Sequence, residues 1–382
     1  MKVELERETL VPYLSVLGSI APKASANLSA VLSMVKIETT GTTDIVMTVT
    51  DLSQRLSVRA PATRITEPGA TLMDAHKFAQ IVRALPDGAS ISMTENREQD
   101  KVKVQSGKSR FLLAVADSDT FPEPKFQDAA VEASIAVKDV RNLLRGTAFM
   151  MPKDDARYYL NGALFEVSAG SMSVVATNGH YLGLCRADGA TGSGEVQVIL
   201  PRASVLELDR ILEQAPEDEN AHFWFTKDGV SMECAEYRYY SGTIDGKFPD
   251  YKRIIPIEKG FKGRVSVDTE SLAAAISRAA LVLSNAENPN KRGILLSFNE
   301  WGITLAADNG FGDTAQDYAS ASYTGEEIII GANPAYLLSV LKASRTGNTT
   351  WTLYDPASAI LVKESREIEG WFSTYVIMPL RT

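Results

Sequence analysis

The chain has 382 residues, 45% hydrophobic and 23% charged, which is the composition of a globular protein with two or three domains. Charged and apolar residues alternate in the opening stretch MKVELERE, and no apolar run approaches the roughly 18 residues of a membrane span, so we expect no signal peptide, no membrane contact and a cytoplasmic location. A net charge of −9 argues against general affinity for nucleic acid, because duplex affinity rests on Lys and Arg, but it leaves a local basic surface open.

In chain order, the hydrophobic pattern predicts three segments that each open with a polar strand and an amphipathic helix and carry a second helix near their middle. The predicted first helices are 8–17, 137–145 and 270–280, and the predicted second helices are 74–85, 203–212 and 334–341. Between the two helices of each segment lies a strand-rich stretch with a polar turn, at 49–51, 176–178 and 307–309. The pattern therefore predicts three copies of one repeated unit.

A recurring arginine gives the period of this repeat. Arg110, Arg238 and Arg366 are each followed by an apolar stretch and a proline, and they lie 128 residues apart. Two helices among many short strands indicate an α+β unit with mainly antiparallel sheet. We predict three similar domains, 1–127, 128–257 and 258–382.

The helices suggest a basic surface. In the helix over 137–145, Lys138, Arg141 and Arg145 fall opposite the apolar face, and in the helix over 74–85 His76 and Arg83 do so. For a single helix, an ordinary solvated face is the simpler interpretation. Repetition changes this, because helices of similar units that close into a ring can give it a basic lining.

Signatures of catalysis, metals and cofactors are absent from the sequence. Gly107-Lys108-Ser109 lacks the earlier glycine of a phosphate-binding loop, since Val102 stands there, and its neighbours alternate as in a hairpin. No histidine pair has metal-binding spacing, and the two cysteines, Cys185 and Cys234, match no metal or redox motif. We predict no cofactor, no catalytic residue and two free buried thiols.

Four motifs together resemble the bacterial DNA polymerase III beta subunit family of sliding clamps. They are RYYLNG (157–162), VATNGH (175–180), DGKFPDYKR (245–253) and the terminal MPLR (378–381). The likeness covers essentially the whole chain and is weakest in the N-terminal third. It implies a DNA-clamp fold in which three similar two-helix domains per chain close as a head-to-tail dimeric ring. The implied function is a non-catalytic processivity factor that encircles duplex DNA without reading its sequence.

The resemblance also implies a groove that binds short, extended, partly apolar peptides. Its partners in the family are the polymerase III catalytic subunit, the clamp loader, other polymerases and repair proteins. The matching positions here are Leu160, Thr177, Gly179, His180, Tyr181, Leu182, Pro249, Arg253, Ile254, Tyr336, Ala357, Ala359, Val376, Met378, Pro379, Leu380 and Arg381. Tyr181 and Asn178 depart from the usual Arg and Asp of the family, which puts the peptide preference in doubt.

Two further sets of residues complete the expected sites. The residues expected to contact DNA are Lys23, His76, Arg83, Lys138, Arg141, Arg145, Tyr158, Tyr159 and Arg202. The residues expected at the dimer interface are Phe111 and Leu113 on an edge strand of the first domain and Leu281, Val282 and Leu283 of the third.

Two alternatives stay open. A diverged second-copy clamp would fit the departures in the groove, and replacing the main clamp of the cell with this chain would decide by growth. A DNA-modifying enzyme on a clamp-like fold would turn over a nucleic-acid substrate and lose that activity through one point mutation.

Overall fold

The structure is a computed structural model that describes residues 1–25, 29–96, 99–123, 130–283 and 293–380. The chain forms two compact units. One comprises Met1–Arg141 and Thr191–Thr243, and the other comprises Asn142–Ala190 and Ile244–Thr382.

Each third of the chain contains the same series of elements. The first third has β1 (Lys2–Glu6), α1 (Arg7–Ile20), β2 (Met34–Thr40), β3 (Asp44–Thr50), β4 (Gln54–Pro61), β5 (Arg64–Glu67), β6 (Ala70–Asp74), α2 (Ala75–Ala84), β7 (Ser90–Asn96), β8 (Lys101–Ser106) and β9 (Ser109–Ala116). The second has β10 (Val131–Ala136), α3 (Val137–Thr147), β11 (Gly162–Ser168), β12 (Ser171–Thr177), β13 (Tyr181–Asp188), β14 (Thr191–Ser193), β15 (Val196–Pro201), α4 (Arg202–Leu212), β16 (Asn220–Phe225), β17 (Gly229–Cys234) and β18 (Tyr237–Gly242). The last has β19 (Gly263–Asp268), α5 (Thr269–Ala279), β20 (Ile294–Asn299), β21 (Gly302–Asp308), β22 (Thr314–Ala319), β23 (Ala321–Gly325), β24 (Ile328–Ala332), α6 (Pro334–Lys342), β25 (Asn348–Leu353), β26 (Ile360–Glu364) and β27 (Trp371–Ile377).

Over the described residues, every third reads strand, helix, five strands, helix, three strands. This confirms the predicted repeat and all six predicted helices, whose ends differ by a few residues. One detail of the repeat was wrong. Arg110 and Arg238 lie within β9 and β18, whereas Arg366 lies in the turn before β27, so the constant spacing does not mark equivalent positions in the third copy.

The sequence explains where the helices begin. Asp74 accepts a hydrogen bond from the backbone N–H of Lys77 and so caps α2, and Asp268 caps α5 in the same way through Ser271. Asn333 caps α6, which has Pro334 in its first turn. Along α2, Phe78 and Val82 are buried while Arg83 is exposed, which is the amphipathic pattern that the sequence predicted.

The first unit contains a fourteen-stranded antiparallel sheet in the order β14-β10-β16-β17-β18-β4-β3-β2-β6-β9-β8-β7-β1-β5. The junction between the first and second thirds lies inside this sheet, where β18 pairs with β4 in the register Arg238↔Ser57 and Tyr239↔Leu56. The last strand of one third therefore pairs with the fourth strand of the preceding third.

The second unit repeats this junction. Its strands run in the order β11-β12-β13-β27-β26-β25-β19-β23, beside a four-stranded sheet β22-β21-β20-β24. Here β27, the last strand of the third copy, pairs with β13, the fourth strand of the second copy, in the register Leu182↔Val376. Because both junctions join strands from different thirds, the two compact units cut through the second third, and the domain boundaries 1–127, 128–257 and 258–382 remain a prediction.

Two smaller expectations concern burial and membranes. Cys185 and Cys234 are free and buried, as predicted. Burial raises the pKa of the Cys185 thiol to about 12. Among the described residues, every helix is too short or too polar to cross a lipid bilayer.

Candidate functional site

A Thr/Asp–Asx turn occurs at the end of the third strand of each third. Thr50 and Asp51 accept backbone hydrogen bonds in the first turn, and Asp308 and Asn309 do so in the third. In the second turn, Thr177 Oγ1 accepts from the N–H of Gly179, and Asn178 Oδ1 accepts from that of His180 at 2.9 Å. The sequence predicted these polar turns, and the structure shows the same side-chain function in each.

The second turn fixes an exposed Gly179-His180 pair. Gly179 has φ +87, which favours glycine, and a Cβ there would lie 2.8 Å from the guanidinium of Arg157. That guanidinium donates to the carbonyl of Asn178 and to Asp155. The hydrogen bond from Arg157 lowers the pKa of Asp155 to about 2. Asp155 and Arg157 were not predicted as site residues from the sequence, although Arg157 is the first residue of the RYYLNG motif.

An aromatic stack adjoins this turn. The rings of Tyr181 and Tyr336 are stacked, with centroids 4.2 Å apart, and the His180 ring is nearly parallel to that of Tyr336, with centroids 6.3 Å apart. The hydroxyl of Tyr181 donates to the carbonyl of Phe149 at 2.7 Å. Burial raises the pKa of Tyr181 to about 12. Tyr181 is therefore a buried, uncharged side chain at a position where the resemblance led us to expect an arginine.

The chain's C-terminal residues lie against the same turn. The N–H of Met378 donates to the carbonyl of His180 at 2.9 Å, and that of Leu380 donates to Gly331 at 2.8 Å. Val376, two residues before Met378, is buried and pairs with Leu182 in the ladder between β13 and β27. Arg381, which the resemblance also places in the groove, lies outside the described residues.

The segment before β19 supplies further groove residues. Tyr251 is buried and its hydroxyl donates to the carboxylate of Glu166, which anchors the segment to β11. Arg253 is exposed and forms an ion pair with Asp250 at 2.8 Å, and Ile254 is exposed beside it. Pro249 is half-buried.

The predicted groove residues that the structure describes divide by exposure. All belong to the second unit. The exposed ones are Gly179, His180, Arg253, Ile254, Ala357 and Met378; the half-buried ones are Pro249, Tyr336, Ala359, Pro379 and Leu380; the buried ones are Leu160, Thr177, Tyr181, Leu182 and Val376. The set therefore combines buried, mainly apolar residues with exposed His, Arg and Met side chains.

The residues predicted to contact DNA are in unequal positions. Lys23, Arg83, Lys138, Arg145 and Tyr158 are exposed. His76 is half-buried, and its Nε2 lies 2.9 Å from the carbonyl of Ala21, to which an Nε2–H donates. Tyr159 and Arg202 are half-buried, and Tyr158 and Tyr159 form an edge-to-face pair.

Arg141 differs from the other basic residues of its helix. It is buried, and its guanidinium lies within 4 Å of three carboxylates, those of Asp209, Glu213 and Glu217. The sequence placed it on a solvated basic face, because the partners lie on and after α4 and cannot be seen from α3 alone. We leave Arg141 out of the DNA-contacting surface proposed below.

The predicted interface residues lie within strand β9 and just after helix α5. Over Ser109–Ala114, β9 pairs with β8 and meets β6 only through its last two residues, so this edge is open in the described chain. Phe111 on it is half-buried and Leu113 is buried. After α5, Leu281 is exposed, Val282 is half-buried and Leu283 is buried. The edge strand β22 was not predicted as part of an interface.

Repeats of this kind, joined strand to strand and carrying two helices each, define a chain of three clamp domains. Family models for the N-terminal, central and C-terminal domains of the DNA polymerase III beta subunit match residues 1–125, 134–250 and 252–381. The chain belongs to the DNA polymerase III beta subunit family.

Individual relatives agree over the full length. The beta sliding clamps of Vibrio cholerae and Escherichia coli K12 are 32% and 31% identical, with all of each chain covered. Among solved structures, a Pseudomonas aeruginosa sliding clamp bound to griselimycin is 32% identical, with complete coverage of both chains and a TM-score of 0.92. A Caulobacter crescentus clamp is 30% identical with a TM-score of 0.88 and complete coverage.

Proposed function

We propose that two copies of this chain close head to tail into a ring around duplex DNA and hold a polymerase there through the groove at His180. The chain makes and breaks no bond in this function. It works by topology, because a closed ring keeps its bound partner at a high local concentration on the template. An ATP-driven loader opens the ring, and the setting is the bacterial cytoplasm.

The observation that carries ring closure is the repeated junction. The last strand of each later third pairs with the fourth strand of the third before it, β18 with β4 and β27 with β13. Among the described residues, β9 of the first third pairs only with β8 and β6 and β22 of the last third pairs only with β21, so neither has a partner strand from another third. Pairing β9 of one copy with β22 of a second copy supplies the missing junction twice and closes a symmetric dimer.

Contact with DNA is proposed to come from the exposed cations Lys23, Arg83, Lys138 and Arg145 and from the exposed ring of Tyr158. Lys and Arg meet phosphates at any sequence, and a ring that slides needs such contacts to be weak and exchangeable. The acidic remainder of the protein, at a net charge of −9, limits non-specific adhesion.

Ring function can be tested with purified protein, a clamp loader and ATP. Sizing should give a dimer, and the protein should stay on closed circular DNA and be lost from the same DNA once it is cut. A monomer, or equal retention on both forms, would refute the proposal.

The groove is tested separately by binding of a peptide from the polymerase III catalytic subunit. Deleting residues 378–382 should abolish peptide binding, because it removes Met378 and the backbone bond to His180, while the protein stays dimeric. His180→Ala should weaken binding by roughly tenfold, or ~1.4 kcal/mol. Ser53→Ala, at the matching position of the first turn, is the control and should bind normally. Unchanged affinity after the deletion means that the groove lies elsewhere.

A further inference from the structure

The segment between the 3-10 turn at Tyr251–Arg253 and β19 exposes three large apolar side chains. Ile254, Ile257 and Phe261 are 43%, 76% and 41% exposed. Apolar side chains exposed singly are ordinary, but three within eight residues make a patch of the kind that marks a contact with another molecule. Together with Lys252, Lys259 and Lys262, which are also exposed, they are termed the linker surface.

Hydrogen bonds and a cation–π contact hold the linker surface in place. The hydroxyl of Tyr354 donates to the carbonyl of Ile257 at 3.0 Å, and the N–H of Lys262 donates to Leu353 at 2.8 Å. The guanidinium of Arg264 lies 4.6 Å from the ring centre of Phe261. A surface already fixed in shape loses little conformational entropy when a partner binds.

Its charge is opposite to that of the protein as a whole. Residues 250–264 carry five Lys and Arg against two carboxylates, in a chain whose net charge is −9. Both carboxylates are engaged, since Asp250 pairs with Arg253, and Glu258 pairs with Arg264 and Lys363. Lys252, Lys259 and Lys262 are exposed, although Lys252 lies 5.7 Å from the ring centre of Tyr251 and Lys262 interacts with the carboxylate of Asp355, so the segment combines apolar side chains with a net positive charge.

The linker surface continues the proposed peptide groove. It begins at Ile254, a groove residue, and Tyr354, which holds Ile257, directly precedes the turn that carries Ala357. Ile257 is thus tied through Tyr354 to the turn that carries Ala357, a predicted groove residue. Duplex DNA does not suit the patch, because exposed Ile and Phe side chains offer phosphates nothing.

We infer that the linker surface binds the acidic, apolar stretch that flanks the docking motif of a partner protein, and so extends the groove beyond the motif. This inference rests on the proposed function of the groove. Apolar side chains of the flank cover Ile257 and Phe261, and its Glu or Asp side chains face Lys252, Lys259 and Lys262. Partners that share one docking motif are then ranked by their flanks.

The test compares three peptides in a fluorescence titration. One is the short docking peptide of the polymerase III catalytic subunit of the same cell. The other two are that peptide lengthened by Glu-Leu-Glu-Trp-Glu, at its N-terminal end in one and at its C-terminal end in the other. We expect the flank at one end to tighten binding by about tenfold at low salt and by less at high salt, because charge pairs at an exposed surface are screened.

Variants separate this inference from the groove itself. Ile257→Ser with Lys259→Glu and Lys262→Glu should remove the gain from the flank and leave the short peptide unchanged. Ile329→Ser, at an isoleucine on β24 that is 51% exposed, should change neither.

Three results would count against the inference. If the lengthened peptides bind no tighter than the short one, the inference is wrong and the groove stands. If the short peptide does not bind at all, the proposed function of the groove fails first. If the triple variant weakens retention on circular DNA and not the flank's gain, the surface belongs to nucleic acid and the inference is overturned.

Discussion

At the scale of single residues, a comparison of Arg141 with Lys138 distinguishes a cation that stabilises the fold from one that is proposed to contact DNA. Arg141→Met should lower the free energy of unfolding by about 1–3 kcal/mol, because it leaves three carboxylates close together without their cation, and their partial exposure limits the loss. Lys138→Met, on the same helix but exposed, should leave stability unchanged and shorten retention on DNA. Denaturant unfolding and DNA retention, measured on both variants, check this. If the Arg141 variant kept full stability but was retained poorly on DNA, Arg141 would contact DNA, as the sequence predicted.

Glu207 gives a pH dependence with a defined sign. It is buried on α4 and accepts from Ser19 of α1, and burial raises its pKa above the ordinary value of 4.5. An acid whose pKa is raised by folding binds its proton more tightly when folded, so the stability it contributes is present at low pH and is lost as pH rises through the folded pKa.

Glu207→Gln keeps the carbonyl acceptor for Ser19 and removes the buried charge. The free energy of unfolding of the variant, relative to the unmodified protein, should therefore rise from pH 4.5 to pH 7.5. The variant also lacks the part-buried ion pair of Glu207 with Arg210, which stabilises the unmodified protein at the higher pH and offsets part of this gain. Denaturant midpoints at the two pH values give the comparison, and a difference that falls with pH would contradict it.

At the scale of elements, the proposed dimer interface can be tested by a substitution that leaves the fold of the single chain intact. Leu281 follows α5 and is 72% exposed in the chain. Leu281→Asp should convert the dimer to monomer, because it places a carboxylate at the proposed apolar contact with β9 of the second copy. Leu52→Asp, at a leucine 65% exposed elsewhere, should stay dimeric. Sedimentation equilibrium distinguishes the two, and a dimeric Leu281 variant would move the interface elsewhere.

Elements were easier to predict than the contacts between them. Helix α2 could be placed from its cap at Asp74 and the spacing of Phe78 and Val82, since both signals lie within a dozen residues. The pairing of β4 with β18 joins residues about 180 apart, and no local pattern encodes it. The same limit explains Arg141, whose partners Asp209 and Glu213 come from a helix distant in sequence.

In the candidate site, some contacts between distant residues could be predicted from the sequence and others could not. His180 and Met378 could be named from motifs because the family likeness supplies their proximity. The stack of Tyr181 on Tyr336 could not, since Tyr181 departs from the family pattern and only the coordinates bring the rings to 4.2 Å. Where a chain differs from its relatives, residue type alone does not say which neighbour the new side chain will find.

At the scale of the whole molecule, a ring and a DNA-binding patch differ in their response to salt. A protein held by six to ten phosphate contacts loses ~10³ to ~10⁵ in affinity between ~50 mM and ~200 mM salt, because counterions are released on binding. A closed ring leaves circular DNA only when its interface opens, whatever its affinity for phosphate.

Retention on closed circular DNA should therefore change little, by less than about threefold, over the salt range in which binding to a short linear duplex disappears. Gel filtration of loaded circles at both salt concentrations measures the first quantity, and a titration of the duplex without loader measures the second. The Leu281→Asp protein is the matched control, because it keeps the DNA-facing cations but lacks the proposed closure, so its retention should fall with salt as the linear duplex does. Equal salt dependence for the dimer and this variant would mean that charge, and not closure, holds the protein on DNA.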